Sequence, residues 1–244
     1  MILAAGRGTR LGSLGRSVPK VLVRVGDRPL LERHLDYLGR EGFSRVVINV
    51  HHLAEQITAF VERHRGPLEI SCIAEESLLG TAGGVRNALP LLGPGPFLVL
   101  YGDVLVEEPL APLIRSHRER RALATLAAYE TRATEGKGVV RADPSGRITG
   151  FVEKKQQGAS PALVNAGVYV MEPELVASLP TGVPFDFGHD VFPSAVERGL
   201  PLFRAPPSPR RVEFSTTRTP ASSSRARLKR RGLWSTTTTV SDGR

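Results

Sequence analysis

The sequence predicts an α/β protein with a doubly wound, mostly parallel sheet. Short apolar runs alternate with amphipathic helical patterns from the start of the chain, and turn residues separate them. The 244 residues, 41% of them hydrophobic, suffice for one large domain or a domain with a small appendage. In such folds ligands bind at the carboxyl ends of the strands, so we expect a site there.

The first part of the chain carries this β-α-β-α-β alternation. Strands are predicted at residues 1–5, 45–50 and 68–73, because these runs are apolar and rich in β-branched side chains. Helices are predicted at 29–42 and 53–64, where apolar residues recur at three- and four-residue spacing. A crossover helix between consecutive strands favours a parallel sheet.

The second part of the chain adds further strands. We predict strands at 97–101, 123–130, 138–141, 148–153 and 165–170, and a helix at 110–121. Asp143-Pro-Ser-Gly146 has the composition of a tight turn, which predicts a hairpin between the strands on either side.

A glycine-rich loop follows the first strand. Gly6 and Gly8 allow the backbone to approach a ligand closely, and two arginines and Lys20 supply positive charge nearby. A triphosphate suits such a loop; the alternative is an ordinary strand-to-helix turn with solvated arginines. The dinucleotide fingerprint is excluded because Leu11 stands at its third glycine, and the Gly-Lys-Ser/Thr of the P-loop does not occur.

A second glycine-rich loop begins at Gly80. We expect Thr81 to cap the following helix, and Gly83-Gly84 to leave a bare surface against which a base could lie. A close contact between helix and strand is the alternative for the two glycines. Asp103 comes directly after the apolar strand 97–101, where a carboxylate could hold Mg²⁺, although Gly102-Asp103 could also be a simple turn.

These stretches resemble the nucleotidyltransferases that act on sugar 1-phosphates. The similarity rests on Leu-Ala-Ala-Gly-x-Gly-Thr-Arg-Leu with a later Pro-Lys, on Leu-Gly-Thr-Ala-Gly, on Gly-Asp, on Phe-x-Glu-Lys and on Asn-x-Gly. It covers about residues 1–203, which we predict to form the nucleotidyltransferase domain. The resemblance implies a Rossmann-like, glycosyltransferase-A-like fold with a small sugar-binding β subregion.

The resemblance also implies roles for individual residues. Arg10 would hold the β- and γ-phosphates, Lys20 the attacking and α-phosphate oxygens, and Asp103 the Mg²⁺ cofactor. The predicted nucleotide-binding residues are Ala4, Ala5, Gly6, Gly8, Thr9, Gly80, Thr81, Gly83 and Gly84. The predicted sugar-phosphate-binding residues are Gly138, Glu153, Lys154 and Asn165.

The implied reaction joins a nucleoside triphosphate to a sugar 1-phosphate and releases pyrophosphate. The loop at 79–83 favours GTP and mannose 1-phosphate, hence GDP-mannose; heptose 1-phosphate with GTP, or glucose 1-phosphate with UTP or dTTP, are alternatives. A nucleotide-sugar-binding regulatory protein with weakened catalysis is an alternative of another class. Both substrates are predicted partners, and the oligomeric state, a homo-oligomer included, stays open.

Residues 204–244 differ from the rest of the sequence. The net charge of +9 comes mainly from this tail, where ten Lys/Arg face two Asp/Glu, whereas the body carries 23 basic and 22 acidic residues. From Ser215 on, 13 of 30 residues are Ser or Thr, a composition that does not support a packed core. We therefore expect an atypical tail, and one hypothesis is a replaced or frame-shifted C-terminus. Thr216 stands where the resemblance implies a second aspartate ligand for the metal. Nucleic-acid binding through the tail is disfavoured because its basic residues have few interleaved aromatics.

The sequence also bears on location. No apolar run approaches the length of a membrane span and no signal peptide precedes the first strand, so no membrane partner is expected. Cys72 is the single cysteine and cannot form an internal disulfide. These observations favour a cytoplasmic protein.

Overall fold

The structure, a computed structural model, describes residues 1–154 and 160–206, without the side chains of Arg10, Glu153 and Lys154. The strands are β1 (Ile2–Leu3), β2 (Arg24–Val25), β3 (Arg28–Pro29), β4 (Arg45–Val50), β5 (Glu69–Ala74), β6 (Phe97–Tyr101), β7 (Ala124–Thr131), β8 (Lys137–Ala142), β9 (Ile148–Lys154), β10 (Ala162–Met171) and β11 (Leu202–Arg204). The α-helices are α1 (Leu14–Ser17), α2 (Leu30–Arg40), α3 (Ala54–Arg63), α4 (Gly80–Leu92), α5 (Ala111–Arg120), α6 (Glu174–Ala177) and α7 (Phe192–Glu197). Short 3₁₀ turns lie at Thr9–Leu11 and Lys20–Leu22, and a π-helical turn at Phe187–Val191.

The main sheet has the strand order β11-β7-β10-β6-β1-β4-β5. Strands β6, β1, β4 and β5 are mutually parallel, and β11 is parallel to β7. Strand β10 runs antiparallel to both of its neighbours, β6 and β7, and also pairs with the β8–β9 hairpin. The predicted α/β class with a mostly parallel sheet is therefore confirmed, and one reversed strand separates its two parallel parts.

Two apolar layers cover the sheet, one on each face. Because successive side chains of a strand point to opposite faces, β4 contributes Ile48 to one layer and Val47 to the other. The first layer contains side chains of α2, α3 and α5, and the second contains side chains of α4, α6 and α7. Helices on both faces leave the ends of the strands as the accessible part of the sheet.

The first strand is shorter than the predicted residues 1–5. Strand β1 ends at Leu3, because the N–H of Ala4 donates to the side-chain Oδ1 of Asn49 at 2.8 Å instead of to a neighbouring strand. The chain leaves the sheet at this point and enters the glycine-rich loop.

The prediction that Thr81 caps α4 is wrong. The helix begins at Gly80, and the carbonyl of Phe185 accepts hydrogen bonds from the N–H groups of Ala82 and Gly83 at 2.9 and 3.2 Å. Gly80 has φ +70°, and an added Cβ would lie 2.4 Å from the Phe185 oxygen. A backbone carbonyl from a distant segment thus caps this helix, which leaves the hydroxyl of Thr81 for other partners.

Candidate active site

A cleft of about 430 Å³ opens at the carboxyl ends of β1, β4, β5 and β6. Much of its polar lining comes from the loop after β1, the end of β4, the loop after β5 and the loop after β6. The lining residues are Leu3, Ala4, Ala5, Gly6, Gly8, Thr9, Lys20, Val21, Asn49, Glu75, Leu78, Gly80, Thr81, Tyr101, Asp103 and Asp186. The position of this cleft agrees with the place where parallel α/β sheets bind ligands.

The glycine-rich loop after β1 forms one wall of the cleft. Gly8 has φ +63°, and a Cβ added at Gly15 would lie only 2.3 Å from the Gly8 oxygen. The imidazole Nε2 of His52 donates to the carbonyl of Gly15 at 2.8 Å, which ties α1 to the start of α3. A glycine at each of the two positions therefore lets the loop fold tightly against α1.

Lys20 and Asp103 form an ion pair inside the cleft, between Nζ and Oδ2. Their side chains are 29% and 35% exposed, so both can reach a ligand. Because an exposed ion pair contributes little free energy, a phosphate group or a cation can replace either partner at small cost. The structure thus brings the two predicted catalytic side chains together, although 83 residues separate them in sequence.

Asp103 is suited to a magnesium ion that is held mainly by its substrate. Mg²⁺ in nucleotide sites usually takes one or two carboxylates, substrate phosphates and several waters. The Asp103 carboxylate faces the cleft beside the glycine-rich loop, whereas Glu75 and Asp186 use their oxygens for internal hydrogen bonds. No group of three His, Cys, Asp or Glu side chains that could hold a metal occurs within residues 1–154 and 160–206.

A buried polar network joins the loops after β1, β4 and β5. Asn49 and Glu75 are 2% and 5% exposed. The Asn49 Nδ2 donates to Glu75 Oε1 at 2.7 Å, and the N–H of Leu79 donates to Glu75 Oε2 at 3.1 Å. Together with the bond from Ala4 to Asn49, this network fixes the glycine-rich loop relative to the start of α4.

Gly83 and Gly84 lie against protein atoms, so the predicted bare surface for a base is wrong. A Cβ at Gly83 would lie 2.7 Å from the carbonyl oxygen of Val183. A Cβ at Gly84 would lie 2.7 Å from Glu75 Oε1 and 2.8 Å from Asn49 Nδ2. Both glycines allow close packing, which is the alternative considered above, and any direct role in nucleotide binding stays a prediction.

A second polar network connects Thr81, which lines the cleft, to β10. Thr81 donates to Asp186 Oδ2 and accepts from the N–H of Phe187, both at 2.8 Å. The hydroxyl of Tyr101 shares hydrogen bonds with Thr81 and Tyr169, and burial raises the pKa of Tyr101 to about 12. The same carboxylate, Asp186, caps the Phe187–Val191 turn by accepting hydrogen bonds from the N–H groups of Gly188 and His189.

The predicted sugar side lies on β8, β9 and β10. Gly138 pairs with Glu153 across the hairpin, and a Cβ at Gly138 would lie 3.9 Å from the Cβ of Asn165. Asn165 donates from Nδ2 to the hydroxyl of Tyr169 at 2.6 Å and accepts the N–H of Gly167 at 2.9 Å. The sheet therefore places these three residues side by side; their contact with a sugar phosphate stays a prediction, as does that of Lys154.

The outcome differs among the predicted site residues. The predicted site residues that line the cleft are Ala4, Ala5, Gly6, Gly8, Thr9, Lys20, Gly80, Thr81 and Asp103. Sequence reasoning missed Asn49, Glu75 and Tyr101 as site residues. The sequence does contain a signal for Asn49, because it is a polar residue near the end of an otherwise apolar strand. Asparagine is seldom buried, and a buried amide needs hydrogen-bond partners.

Several predictions concern residues or side chains outside the part of the chain that the structure describes. They include the side chains of Arg10, Glu153 and Lys154, the position of Thr216, and residues 207–244 of the tail predicted at 204–244. Within the described ranges, no helix is both long and apolar enough to cross a membrane. The cytoplasmic location and the domain boundary at residue 203 stay predictions.

The fold and the cleft define an α/β protein with a candidate ligand site at its strand ends. Residues 1–207 match the family model for nucleotidyl transferases, and the chain belongs to this family. The structure of HddC from Yersinia pseudotuberculosis complexed with GMP-PN is similar, with a TM-score of 0.72 and 25% identity over 83% of this chain and 87% of that chain.

Curated relatives point to two related activities. A UTP–glucose-1-phosphate uridylyltransferase of Synechocystis is 34% identical, with 83% of this chain and 56% of the relative covered. A mannose-1-phosphate guanylyltransferase catalytic subunit beta of Drosophila pseudoobscura pseudoobscura is 33% identical, with coverage of 81% and 54%. A mannose-1-phosphate guanylyltransferase of Mycobacterium tuberculosis is 30% identical, with coverage of 82% and 55%. The chain spans about half the length of these relatives.

Proposed function

We propose that this chain transfers a nucleoside monophosphate from a nucleoside triphosphate to a sugar 1-phosphate and releases pyrophosphate. The preferred pair is GTP and mannose 1-phosphate, which gives GDP-mannose. The observation that carries this proposal is the single cleft that holds the glycine-rich loop, Lys20 and Asp103 in a member of the nucleotidyl transferase family.

The proposed chemistry is an in-line displacement at the α-phosphorus. An oxygen of the sugar phosphate attacks, and pyrophosphate leaves with the electrons of the broken P–O bond. The attacking phosphate is already ionised at neutral pH, so the site needs no general base. Positioning and charge neutralisation are what the protein must supply.

Each part of the cleft has a task in this scheme. The backbone of the glycine-rich loop approaches the triphosphate, and the Lys20 ammonium neutralises charge on the α-phosphate and attacking oxygens. The Asp103 carboxylate would hold Mg²⁺, which supplies further neutralisation of phosphate charge when bound. Arg10 is proposed to bind the β- and γ-phosphates from the same loop.

Glu75 supports guanine as the base. Its carboxylate lines the cleft at the edge of the loop that begins α4, and a carboxylate only accepts hydrogen bonds. Guanine presents two adjacent donors, N1–H and N2–H, whereas uracil and thymine present one, N3–H. Each oxygen of Glu75 already accepts one internal hydrogen bond, from Asn49 Nδ2 or from the N–H of Leu79, and a carboxylate has about four acceptor sites, so the remaining lone pairs are the ones proposed for guanine. Among the relatives, the two mannose-1-phosphate guanylyltransferases agree with guanine, and the uridylyltransferase keeps UTP as the alternative.

The sugar side of the proposal rests on the hairpin and β10. Gly138, Glu153 and Asn165 lie side by side, and the proposed roles are contact with sugar hydroxyls for Glu153 and Asn165 and with the sugar phosphate for Lys154. Gly138 brings no side chain of its own to the strand next to Asn165. Mannose is preferred because of the loop at 79–83 and the relatives' names, while heptose and glucose 1-phosphates remain alternatives.

Pyrophosphate release measured over a grid of nucleotides and sugar phosphates tests the proposal. The grid pairs GTP, UTP, dTTP and ATP with mannose, glucose and heptose 1-phosphates. We expect the highest kcat/KM with GTP and mannose 1-phosphate. Release of pyrophosphate with no combination would contradict the activity, and a preference for UTP would contradict the choice of base alone.

A substitution of Glu75 tests the preference for guanine separately from the proposed reaction. In Glu75→Gln one acceptor oxygen becomes a donor, so we expect kcat/KM with GTP to fall about 10- to 100-fold, as for a mismatched buried hydrogen bond. The value with UTP should change less. Equal losses with both nucleotides would show that Glu75 only supports the loop.

A further inference from the structure

Helix α2 presents three polar side chains to the segment 104–110 that follows the Asp103 turn. His34 Nε2 lies 2.7 Å from the carbonyl oxygen of Val104, the Tyr37 hydroxyl donates to the carbonyl of Glu108, and Glu41 Oε2 accepts the N–H of Leu110 at 2.7 Å. Positions 34, 37 and 41 are three and four residues apart, so their side chains follow one face of the helix, with Glu41 at its C-terminal cap. We name these three side chains the α2 clamp.

Two side chains of the clamp, His34 and Tyr37, lie in the interior of the protein, whereas Glu41 is partly buried. His34 is fully buried, Tyr37 and Glu108 are 5% exposed, and the apolar side chains of Leu35 and Leu38 on the same helix belong to the core. Polar groups in such a position are costly unless they are hydrogen-bonded. Each of the three takes a backbone group of the 104–110 segment as its partner, which offsets the cost in part, while Nδ1 of His34 has no hydrogen-bond partner among the described residues.

The turn that carries Asp103 is held on both sides. The N–H of Val104 donates to the Tyr101 carbonyl at 3.2 Å, and the N–H of Gly102 donates to the Leu3 carbonyl at 2.9 Å. A carbonyl only accepts, so the Nε2 of His34 carries the hydrogen that bonds to Val104. Burial lowers the pKa of His34 to about 4, which keeps the ring neutral. The peptide directly after Asp103 is thereby fixed by a ring that does not change its charge near neutral pH.

We propose that His34 is a positioning residue for Asp103, and that the α2 clamp orients this carboxylate for a divalent cation. The proposal rests on the proposed function for the role of Asp103. Groups that orient a metal ligand typically change metal affinity about 10- to 100-fold when they are removed. Within the clamp, His34 bonds to the residue next to Asp103, whereas Tyr37 bonds five residues away; the effect on the metal should therefore decrease from His34 to Tyr37.

Three substitutions separate positioning from simple stability. His34→Leu removes the bond to Val104 and keeps an apolar side chain of similar volume, and His34→Gln keeps an amide N–H near the place of Nε2. Tyr37→Phe is the matched control, because it removes one buried hydrogen bond of the same clamp farther from Asp103. His34→Met replaces His34→Leu if the latter does not fold, since methionine adapts to irregular space.

The first readout is amide hydrogen exchange of the protein without metal or nucleotide. In His34→Leu we expect exchange of residues 103–106 to become about 10-fold faster, as for a lost hydrogen bond, with little change in α3. His34→Gln should restore most of the protection. Unchanged exchange at 103–106 in His34→Leu would overturn the proposal.

The second readout is the dissociation constant of Mn²⁺, measured by electron paramagnetic resonance in the presence of guanosine 5′-(α,β-methylene)triphosphate. We expect Mn²⁺ to bind about 10- to 100-fold more weakly to His34→Leu, near normally to His34→Gln, and less than about 5-fold more weakly to Tyr37→Phe. An unchanged dissociation constant in His34→Leu, or equal losses in His34→Leu and Tyr37→Phe, would overturn the proposal.

These readouts keep the inference apart from the proposed function. Neither requires turnover, so a wild-type protein that binds Mn²⁺ but releases no pyrophosphate contradicts the proposed function alone. A wild-type protein that binds no Mn²⁺ with the analogue overturns the positioning role as well. A lower melting temperature of His34→Leu with unchanged Mn²⁺ binding shows a structural residue and also overturns it.

Discussion

The proposed nucleotide side and the proposed sugar side of the site are built from different kinds of strand. On the nucleotide side, four parallel strands end at one edge, and a polar residue at or after each end faces the cleft. On the sugar side, the residues lie within antiparallel strands, where Gly138 and Asn165 are neighbours through register alone. In the parallel part, the residues come together because the strands end at the same edge of the sheet. In the antiparallel part, they come together because paired strands place them opposite each other.

The two sides also differ in how tightly they are packed. On the nucleotide side, Gly84 lies within contact distance of the Asn49–Glu75 network, with no space for a methyl group. On the sugar side, the same methyl group at Gly138 would have the Cβ of Asn165, at 3.9 Å, as its nearest neighbour among the described atoms. Among the described residues, the proposed nucleotide side is thus the more tightly packed of the two.

The largest expected effect is the loss of the Lys20 ammonium. Lys20→Ala should lower kcat for pyrophosphate release about 10²- to 10⁴-fold, because one charge contact to the phosphates is lost. Steady-state kinetics measure the change, and Arg63→Ala on the exposed face of α3 is the matched control for loss of a cation. Near-normal turnover of Lys20→Ala would remove Lys20 from the proposed mechanism.

The packing difference predicts opposite responses to the same substitution. Gly84→Ala should lower the free energy of unfolding by about 1–3 kcal/mol, because the new Cβ overlaps Glu75 and Asn49. Gly138→Ala should change it by less than about 0.5 kcal/mol. Urea denaturation of both variants provides the measurement, and equal destabilisation would contradict the contrast between the two sides.

Asn165 tests whether the sugar side binds its ligand directly. Asn165→Ala should raise KM for the sugar 1-phosphate about 10-fold, as expected for one or two lost hydrogen bonds, with KM for GTP changed less. Tyr169→Phe is the control, since it removes the same internal bond but keeps the amide. If both variants lose only thermal stability, Asn165 supports the strand and does not contact the sugar.

The smallest expected effect is the pH dependence of the free energy of unfolding that comes from His117 in α5. His117 is buried and hydrogen-bonds Thr125 and Glu172, and burial lowers its pKa. The unfolded chain takes up this proton near pH 6.5, whereas the folded chain resists it, so stability should fall as the pH drops below about 6.5. The slope from this group is at most about 1.4 kcal/mol per pH unit.

Denaturation from pH 7.5 to 5 in the wild type and in His117→Gln measures this slope. The variant should show a shallower decrease of the free energy of unfolding towards acid pH. Identical pH dependence in both proteins would show that His117 is not the group responsible.

Sequence reasoning succeeded where a local pattern determines the structure. The alternation of apolar runs and amphipathic helices was sufficient to predict the parallel half of the sheet, and the strand followed by Gly102-Asp103 marked one end of the cleft. The cap of α4 could not be predicted, because its acceptor, the Phe185 carbonyl, comes from a segment about 100 residues away.

The missed residues share a physical cause. Asn49 and Glu75 acquire their role only when β4 and β5 pair and bring the two polar groups together. The bare surface expected at Gly83 and Gly84 was wrong for the same reason, since the atoms that cover it belong to other parts of the chain. Long-range packing thus decides which polar groups meet a ligand and which meet each other.

The fate of the phosphates of labelled GTP tests the central claim most directly. With mannose 1-phosphate and Mg²⁺, label from [α-³²P]GTP should appear in GDP-mannose, and label from [γ-³²P]GTP should appear in pyrophosphate. Lys20→Ala should slow both transfers equally. Release of the γ-label as inorganic phosphate, with the α-label remaining in GDP, would show hydrolysis and contradict nucleotidyl transfer.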